Sequence, residues 1–557
     1  MSFNPVREIE EELIEVLEKA RDRVLADDLD GEELPPIEVE VPREDEHGDY
    51  ASNLALSLGG KLEKNPRQLA EEISAEIDSE LVERVEVAGP GFINFWLDES
   101  WLYGTARHIT ELGEDYGRTD YGRGERVQVE FVSVNPTGPL HVGHSRGAVV
   151  GDTLASIMDR AGFEVEREYL INDAGNQMDL LGRSTYLRYL ELFGEEIEMP
   201  ENSYRGDYVK DIARELRDEH GSELREIEEE EAVEIAREFA YERVLAIIKR
   251  DLNDFGIEFD NWFSERTLHE EGRIEKAVET LREKGYIYEE EGATWFAASE
   301  LGDDKDRVVI KSDGSPTYMG ADIAYHQDKV DRGFDKLINV WGADHHGYID
   351  RMKASIEALG YDRDMLEIII VQMVNLIRGG ETMPMSKREG EFVTMRELME
   401  EVGLDAARYF FIMRSTDSHF DFDLDLAREE STDNPVYYIQ YAHARICSML
   451  ERADEELQAD ADGAELELLD SEAEKELLEY LACFPEEIRE AARLRAPHRL
   501  ANYIYDLANA FHVFYNKCQV LSDDRQQSLA RLKLVQATRQ VLVNALDLIG
   551  VSAPEEM

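Results

Sequence analysis

Two short words in the chain combine residues suited to phosphate chemistry. The first, His141-Val-Gly-His144, lies where an apolar run gives way to a helix-like pattern. Histidines at this spacing near a helix start project to one side, where their ring N–H groups and the helix dipole favour negative charge growing on a nucleotide phosphate. Gly143 has no Cβ, so a flat base could lie directly against the backbone. Alone, such a tetrapeptide arises by chance, with its histidines as polar helix starters. The second word, Met383-Pro-Met-Ser-Lys387-Arg-Glu-Gly, follows adjacent glycines at Gly379 and Gly380. A mobile loop here would carry the Lys387 ammonium to the α- and β-phosphates as pyrophosphate departs. By itself it reads equally as a surface turn.

These residues need elements to hold them. Val127–Val134 has strand character, Asn135-Pro-Thr-Gly-Pro is a loop of phosphate size, and a helix is predicted from about His144 to Gly162, a succession that opens a doubly wound nucleotide fold. Further strands are expected at Arg307–Lys311, Leu337–Trp341 and Glu367–Val371, with a long acidic helical stretch, Asp207 to Lys284, inserted between. Upstream, the pattern predicts helices over Glu8–Ala26 and from Asn53 to about Ile77, strand-like runs at Ile37–Val41 and Val85–Val87, and a turn into a strand at Gly89-Pro-Gly-Phe-Ile-Asn. After about Gly390 no strand is expected, and helices are predicted over Pro435–Leu450, Glu474–Leu494, Arg499–Val520 and Leu529–Leu548, with an acidic surface connection at 454–470. The fold class is multidomain α/β: a small α/β N-terminal domain (1–118), a Rossmann-like catalytic domain (119–395) with a helical insertion around 185–290, and an all-α C-terminal domain (396–557).

The chain has 557 residues and a formal net charge of −64, spread along its length. That excess points to a salt-loaded cytoplasm and a halophilic, archaeon-like source, because molar salt shortens the screening length to about 3 Å. It weighs only weakly against a nucleic-acid partner, since a local basic groove still binds phosphates. No apolar run is long enough for a membrane span and the N-terminus has no secretion pattern, so a cytoplasmic protein is expected. Cys447, Cys483 and Cys518 are widely spaced without a C-x-x-C pair, which excludes a disulfide framework and a thiolate zinc site. His345 and His346 are adjacent and expected to point apart, and no metal site is assigned.

Together, the two words resemble the paired signatures of class I aminoacyl-tRNA synthetases. Glu130-Phe-Val-Ser-Val-Asn-Pro-Thr-Gly-Pro-Leu-His-Val-Gly-His-Ser-Arg, Asp313-Gly-Ser-Pro-Thr-Tyr-Met-Gly-Ala-Asp-Ile-Ala-Tyr-His and Trp341-Gly-Ala-Asp-His-His-Gly narrow the resemblance to arginyl-tRNA synthetases. It covers nearly the whole chain. Asp49-Tyr-Ala-Ser-Asn-Leu-Ala and Gly89-Pro-Gly-Phe-Ile-Asn look like that family's tRNA-contacting N-terminal domain, and Tyr437-Tyr-Ile-Gln-Tyr-Ala-His-Ala-Arg like the first helix of its anticodon-binding domain.

The resemblance implies arginine activation with ATP and transfer to tRNA(Arg), giving AMP and pyrophosphate. It implies catalytic roles for His141, His144 and Lys387, ATP contacts from these with Gly143, Met385 and Ser386, and Mg²⁺ arriving with ATP instead of in a protein cage. Asn135 matches the residue holding the substrate's α-amino group, Glu130 is similarly placed, and Tyr318 and Asp322 match those that recognise the guanidinium. A carboxylate beside an aromatic wall suits that planar cation. Asn53, Phe92, Tyr437 and Tyr441 are the tRNA-binding candidates, although both tyrosines fit a helix-packing core equally well. A monomer is expected. Pro384 replaces the first Lys of the usual K-M-S-K, and Gly138 stands where some relatives carry a compensating Lys, so Lys387 acts alone. A Gln contact usual in the family is replaced by the Gly342-Ala343-Asp344 stretch. Two rivals rank below this reading. A small-molecule nucleotidyltransferase with H-x-G-H would need no long helical appendage, and a non-catalytic relative would have lost His141, His144 or Lys387.

Overall fold

The computed structural model describes residues 3–26, 34–42, 44–383, 393–453 and 455–557. At its centre, β1 (Arg126–Glu130), β2 (Glu164–Ile171), β3 (Asn261–Ser264), β4 (Lys336–Gly342) and β5 (Leu366–Val371) form a parallel sheet in the order β5-β4-β1-β2-β3. The chain winds one way from β1 and the other way from β4, so a crevice opens at the carboxyl ends of these two neighbours. Val127, Gln128, Val129 and Glu130 are all buried, as a central parallel strand covered on both faces requires. The helix after β1, α1 (Val142–Arg160), packs closely because of Gly151, where a Cβ would lie 2.3 Å from the Phe131 ring. Between β2 and β3 run α2 (Asn176–Glu191) and α3 (Glu229–Asp254), and α4 (Tyr318–Asp331) precedes β4.

Several expectations are corrected here. The stretch read as continuously helical contains β3, a strand too short for its Trp262-Phe263 pair to show a period. Arg307–Ile310 does not join the parallel sheet. It is the edge of an antiparallel sheet with Ile287–Glu290 and Ala293–Phe296. Glu291 (φ 50°) and Gly292 (φ 79°) close that hairpin in the left-handed conformations of a tight two-residue turn. In the N-terminal domain the second helix is broken into Leu54–Leu62 and Pro66–Ser74, because Glu63 is left-handed and Pro66 starts a new helix capped by Asn65. The run Ile37–Val41 forms only one bridge, Glu40 to Ala51.

After α5 (Met395–Val402) and α6 (Leu404–Ile412), a strand the sequence reading did not contain, Phe420–Asp423, pairs in parallel with Val374–Arg378. The helical domain follows as α7 (Pro435–Arg452), α8 (Glu472–Arg493), α9 (Pro497–Lys517) and α10 (Arg525–Leu548). Its core is continuous with that of the catalytic domain. The Tyr116 hydroxyl donates to Leu481 O at 2.7 Å, and Asn544 Nδ2 to Tyr116 O at 3.0 Å. The N-terminal domain has a separate core around Leu13, Leu17, Ile73 and Phe95.

Candidate active site

The His141–His144 corner is internally satisfied. His141 is the N-cap of α1, its Nδ1 accepting from Gly143 N at 3.1 Å, while His144 Nδ1 accepts from His141 N at 3.3 Å. The rings stack with centroids 3.5 Å apart. Burial lowers the His141 pKa, and burial followed by His141 pushes that of His144 down to about 3. His144 is therefore neutral at working pH, and since Nδ1 accepts, the proton sits on Nε2. Each Nε2–H is then a donor, the kind of group a phosphate oxygen needs. Gly143 is exposed beside them. The segment beyond the second signature docks here: Val142 N donates to Val393 O at 2.9 Å and Met395 N to Leu140 O at 2.8 Å. Met385, Ser386 and Lys387 themselves lie outside the described residues.

The loop leaving β1 is strained. Val132 (φ 68°) and Ser133 (φ 42°) are consecutive left-handed residues, a conformation a β-branched side chain rarely adopts. The neighbouring strand β2 holds it: Leu170 N donates to Ser133 Oγ at 3.1 Å and the Tyr169 hydroxyl to Val134 O at 3.0 Å. The chain is thereby turned so that Asn135 Nδ2 donates to Gln177 Oε1 at 2.6 Å, with the amide oxygen as the side chain's acceptor. The Tyr208 hydroxyl, donating to Thr137 O at 2.6 Å, supports the loop from the insertion.

A cluster of carboxylates gathers where α4 meets the ends of β2 and β3. Tyr318 begins α4 and is 66% exposed, and Asp322 stands one turn later on the same face. A Cβ at Gly175 would lie 3.7 Å from the Tyr318 hydroxyl, which places the ring over the loop after β2. That loop and the one after β3 contribute Asp173 and Glu265, both buried and both missed in the sequence. Asp173 is satisfied, accepting from Tyr241, Ser264 and Arg266 N. Glu265 is not: its Oε2 makes no hydrogen bond. Burial, then Asp322 and Asp173, pushes the Glu265 pKa up to about 7, and burial, then Glu130, does the same to Asp322. A signal for Glu265 existed, since carboxyl ends of parallel strands line the crevice, but it requires knowing that β3 is a strand.

Glu130, grouped with the arginine ligands in the sequence, is committed to a buried ion pair. Its Oε2 lies 2.5 Å from Lys329 Nζ, and that ammonium also donates to Asn339 Oδ1 at 3.1 Å. Asn339 Nδ2 then meets His326 Nε2 at 3.1 Å, and His326 Nδ1 meets the Asp322 carbonyl at 2.8 Å. Burial drives the His326 pKa down to about 3, so a neutral ring donates from Nδ1 and accepts at Nε2. Lys329 thus balances one carboxylate and fixes the helix turn that carries another. His345 and His346 lie in an exposed turn, with His345 beside Asp344 at 3.5 Å.

The tRNA candidates occupy two other places. Asn53 starts the helix Leu54–Leu62 without a side-chain cap, and the register Ser52 to Ile93 brings it beside Phe92. Tyr437 and Tyr441 are half-buried on α7, ring centroids 6.3 Å apart, with Arg445 lying 4.4 Å over Tyr441. A surface aromatic row with a stacked guanidinium suits unstacked bases.

A doubly wound parallel sheet with a histidine pair at the start of the helix that follows its central strand is the architecture of a class I aminoacyl-tRNA synthetase. A profile described as "tRNA synthetases class I (R), catalytic domain" matches residues 111–421, flanked by "Arginyl tRNA synthetase N terminal domain" at 7–97 and "DALR anticodon binding domain" at 439–557. The arginine–tRNA ligase of Bacillus subtilis is 54% identical over 94% of this chain and 95% of its own, and that of Geobacillus kaustophilus 52% over the whole of both. The solved Thermus thermophilus arginyl-tRNA synthetase shares the fold at a TM-score of 0.74, with 24% identity, over 98% of this chain and all of its own. The chain belongs to the arginyl-tRNA synthetase family. Its reaction is the ATP-dependent activation of arginine and its ligation to tRNA, so arginine, ATP and tRNA(Arg) are its partners. These curated relatives are bacterial, and the archaeon-like source expected from the charge has no support. Among the described residues no helix is long and apolar enough to cross a membrane.

Proposed function

We propose that the guanidinium of arginine is taken between Tyr318 and the Asp322–Glu265 pair, with Asn135 at the α-ammonium and Glu130, paired with Lys329, supporting the pocket from behind. ATP lies against Gly143, its phosphates facing His141 and His144, with Met385, Ser386 and Lys387 completing the nucleotide side and Mg²⁺ accompanying the phosphates. The observation that carries this reading is the pair of carboxyls raised to about 7, with Glu265 Oε2 left without a hydrogen bond, beside a neutral histidine corner. A bound guanidinium supplies charge and paired donors at once.

In the reaction, a substrate carboxylate oxygen attacks the α-phosphorus, the bond to the β-phosphate oxygen breaks, and pyrophosphate leaves. A ribose hydroxyl at the tRNA 3′ end then attacks the adenylate carbonyl and AMP departs. Positioning and charge stabilisation do most of this work. Activation requires bound tRNA in this reading, with Asn53, Phe92, Tyr437 and Tyr441 as contacts, and the protein acts as a cytoplasmic monomer of three units, 1–118, 119–395 and 396–557. The test is amino-acid-dependent exchange of pyrophosphate into ATP across all twenty amino acids, with and without tRNA. Arginine alone, and only with tRNA, is expected to support it. Preference for lysine overturns the pocket assignment.

The surface charge is read as adaptation to a salt-rich cytoplasm, since crowded carboxylates repel least when the screening length is short. Melting in a KCl series checks this: the midpoint should climb into the molar range, and greatest stability in dilute buffer would remove the reading.

A further inference from the structure

One buried guanidinium joins three segments of the fold. Arg408, on α6, is 1% exposed. Its NH2 donates to Asp152 Oδ2 on α1 at 2.6 Å, its NH1 to Phe255 O at the end of α3 at 3.0 Å, and its Nε to Ile549 O just beyond α10 at 2.8 Å. Gly550 makes room for it, because a Cβ there would sit 2.4 Å from Arg408 Nε and its φ is +64°.

The chain beyond Ile549 continues this connection outward. Ser552 N donates to Asp405 Oδ1 at 2.9 Å, and Gln440 Nε2 on α7 donates to Asp405 Oδ2 at 2.8 Å and to Ser552 O at 3.0 Å. His443 Nδ1, also on α7, meets Pro554 O at 2.8 Å, and Arg539 pairs with Glu555 at 3.1 Å. The tail is therefore strapped to the helix whose other residues include Tyr437 and Tyr441. At the far end, Asp152 is on the helix that begins with His141 and His144, about 12 Å along the axis from His144 at 1.5 Å per residue. Asp152 is also held by Arg167 Nε at 3.2 Å, which fixes its carboxylate between two guanidiniums.

We propose that Arg408 is a positioning residue for arginine activation, coupling the tail strap on α7 to the helix that presents His141 and His144. Two features favour this over simple packing. The contacts are charge-assisted and directional, so a small shift of the strap moves a fixed fork and not a deformable apolar surface. They also converge on a single side chain, so the helical domain and the insertion reach α1 through this fork as well as through the packing of α8, α9 and α10 against it. The inference rests on the tRNA-dependent activation proposed above.

The experiment uses the full chain and compares Arg408→Lys, Asp152→Asn and Gly550→Ala with the parent. Three quantities are read: the single-turnover rate of adenylate formation at saturating tRNA, the dissociation constant for tRNA(Arg), and the KM for arginine. Lys keeps the charge but not the fork, Asn keeps the shape of Asp152 but not its charge, and Ala displaces the fork while leaving it intact. Adenylate formation should fall about ten- to hundredfold in Arg408→Lys, the scale of a lost charged hydrogen bond, and in the same direction in the other two. Affinity for tRNA and the arginine KM should stay within about twofold. Parental rates in folded Arg408→Lys overturn the proposal, as does a loss of rate matched by an equal loss of tRNA affinity. If Arg408→Lys does not fold, Gly550→Ala decides, and an unchanged rate there is the overturning result. A parent chain that activates arginine without tRNA would instead remove the earlier reading, whereas losses confined to the variants bear on Arg408.

Discussion

His144 and Asp322 face the same crevice, yet their surroundings are settled in opposite ways. At the histidine corner every feature is closed within the protein: Nδ1 atoms cap the helix, the rings stack, and burial removes the charge. At the Asp322 corner the protein leaves charge unresolved, with Glu265 Oε2 without a hydrogen bond and two carboxyls raised to about 7. One corner is organised before anything binds. The other is complete only with a cation in it. On the reading proposed above, ATP brings its own charge and countercation to a neutral, rigid corner, while arginine's guanidinium supplies the charge that the carboxylate corner lacks.

If that contrast is right, the largest effect comes from the preorganised corner. His144→Ala removes a donor aimed at charge that develops on the phosphates, and such losses cost about 10²–10³ in rate. We expect a fall of that size in adenylate formation with the arginine KM changed by less than about threefold. Rapid-quench measurement checks it. A variant that lost arginine affinity instead would show that the two corners are not separable.

Asp322→Asn should do the reverse. It keeps shape and removes the charge that faces the guanidinium, so kcat/KM for arginine should drop about ten- to hundredfold while the ATP KM stays close to the parent value. Glu265→Gln should follow in the same direction, and the double variant should lose less than the product of the two, because the carboxylates act on one cation. Unchanged arginine kinetics in both would remove them from the pocket.

Much of this was legible in the sequence, and the reason is the reach of the motifs. His141-Val-Gly-His144 after an apolar run, and Leu337–Trp341 and Glu367–Val371 as buried runs, identify the switch point because strands buried on both faces are continuous in hydrophobicity. Helices α7 to α10 were equally plain from their period. What was not legible depends on long-range pairing. Asn261–Ser264 is a strand only because β2 offers an edge, and without it Glu265 is one acidic residue among many. Arg307–Ile310 resembles a core strand locally, but the tight hairpin at Glu291-Gly292 captures it in another sheet. Lys329 gave no sign, since a lysine late in an amphipathic helix is ordinarily a solvated one.

The pH dependence of the arginine KM separates the corners without mutation. Asp322 and Glu265 have folded pKa values raised to about 7, so below that they hold protons that a guanidinium must displace. Arginine binding should therefore weaken as pH falls from 8 to 6, by up to about tenfold per unit for each carboxyl that must lose a proton, with the two titrating as a pair. His144, lowered to about 3, stays neutral throughout, so single-turnover rates at saturating arginine should be nearly flat over the same range. A KM that is flat while the rate changes would reverse the assignment of the two corners.

The smallest effect is on stability, and its sign differs between the corners. Asp322 has a folded pKa above its ordinary value of 3.8, so the folded state holds the proton more tightly than the unfolded chain does. The stability this contributes is fully present below about pH 4 and is lost as pH rises through 7, which leaves the ionised, unpaired carboxylate a burden at pH 8. Asp322→Asn removes that burden, so its melting midpoint without arginine should exceed the parent's by about 1–3 °C at pH 8, and the gain should shrink towards pH 5. His144→Ala instead deletes a cap on the backbone N–H of His141, an interaction worth about 0.5–2 kcal/mol, and should lower the midpoint at every pH tested. Adding arginine should raise the parent's midpoint and leave that of Asp322→Asn nearly unmoved, since ligand stabilisation follows affinity. If both variants melt below the parent at pH 8, Asp322 already has a partner within the fold and the pocket is not waiting for one.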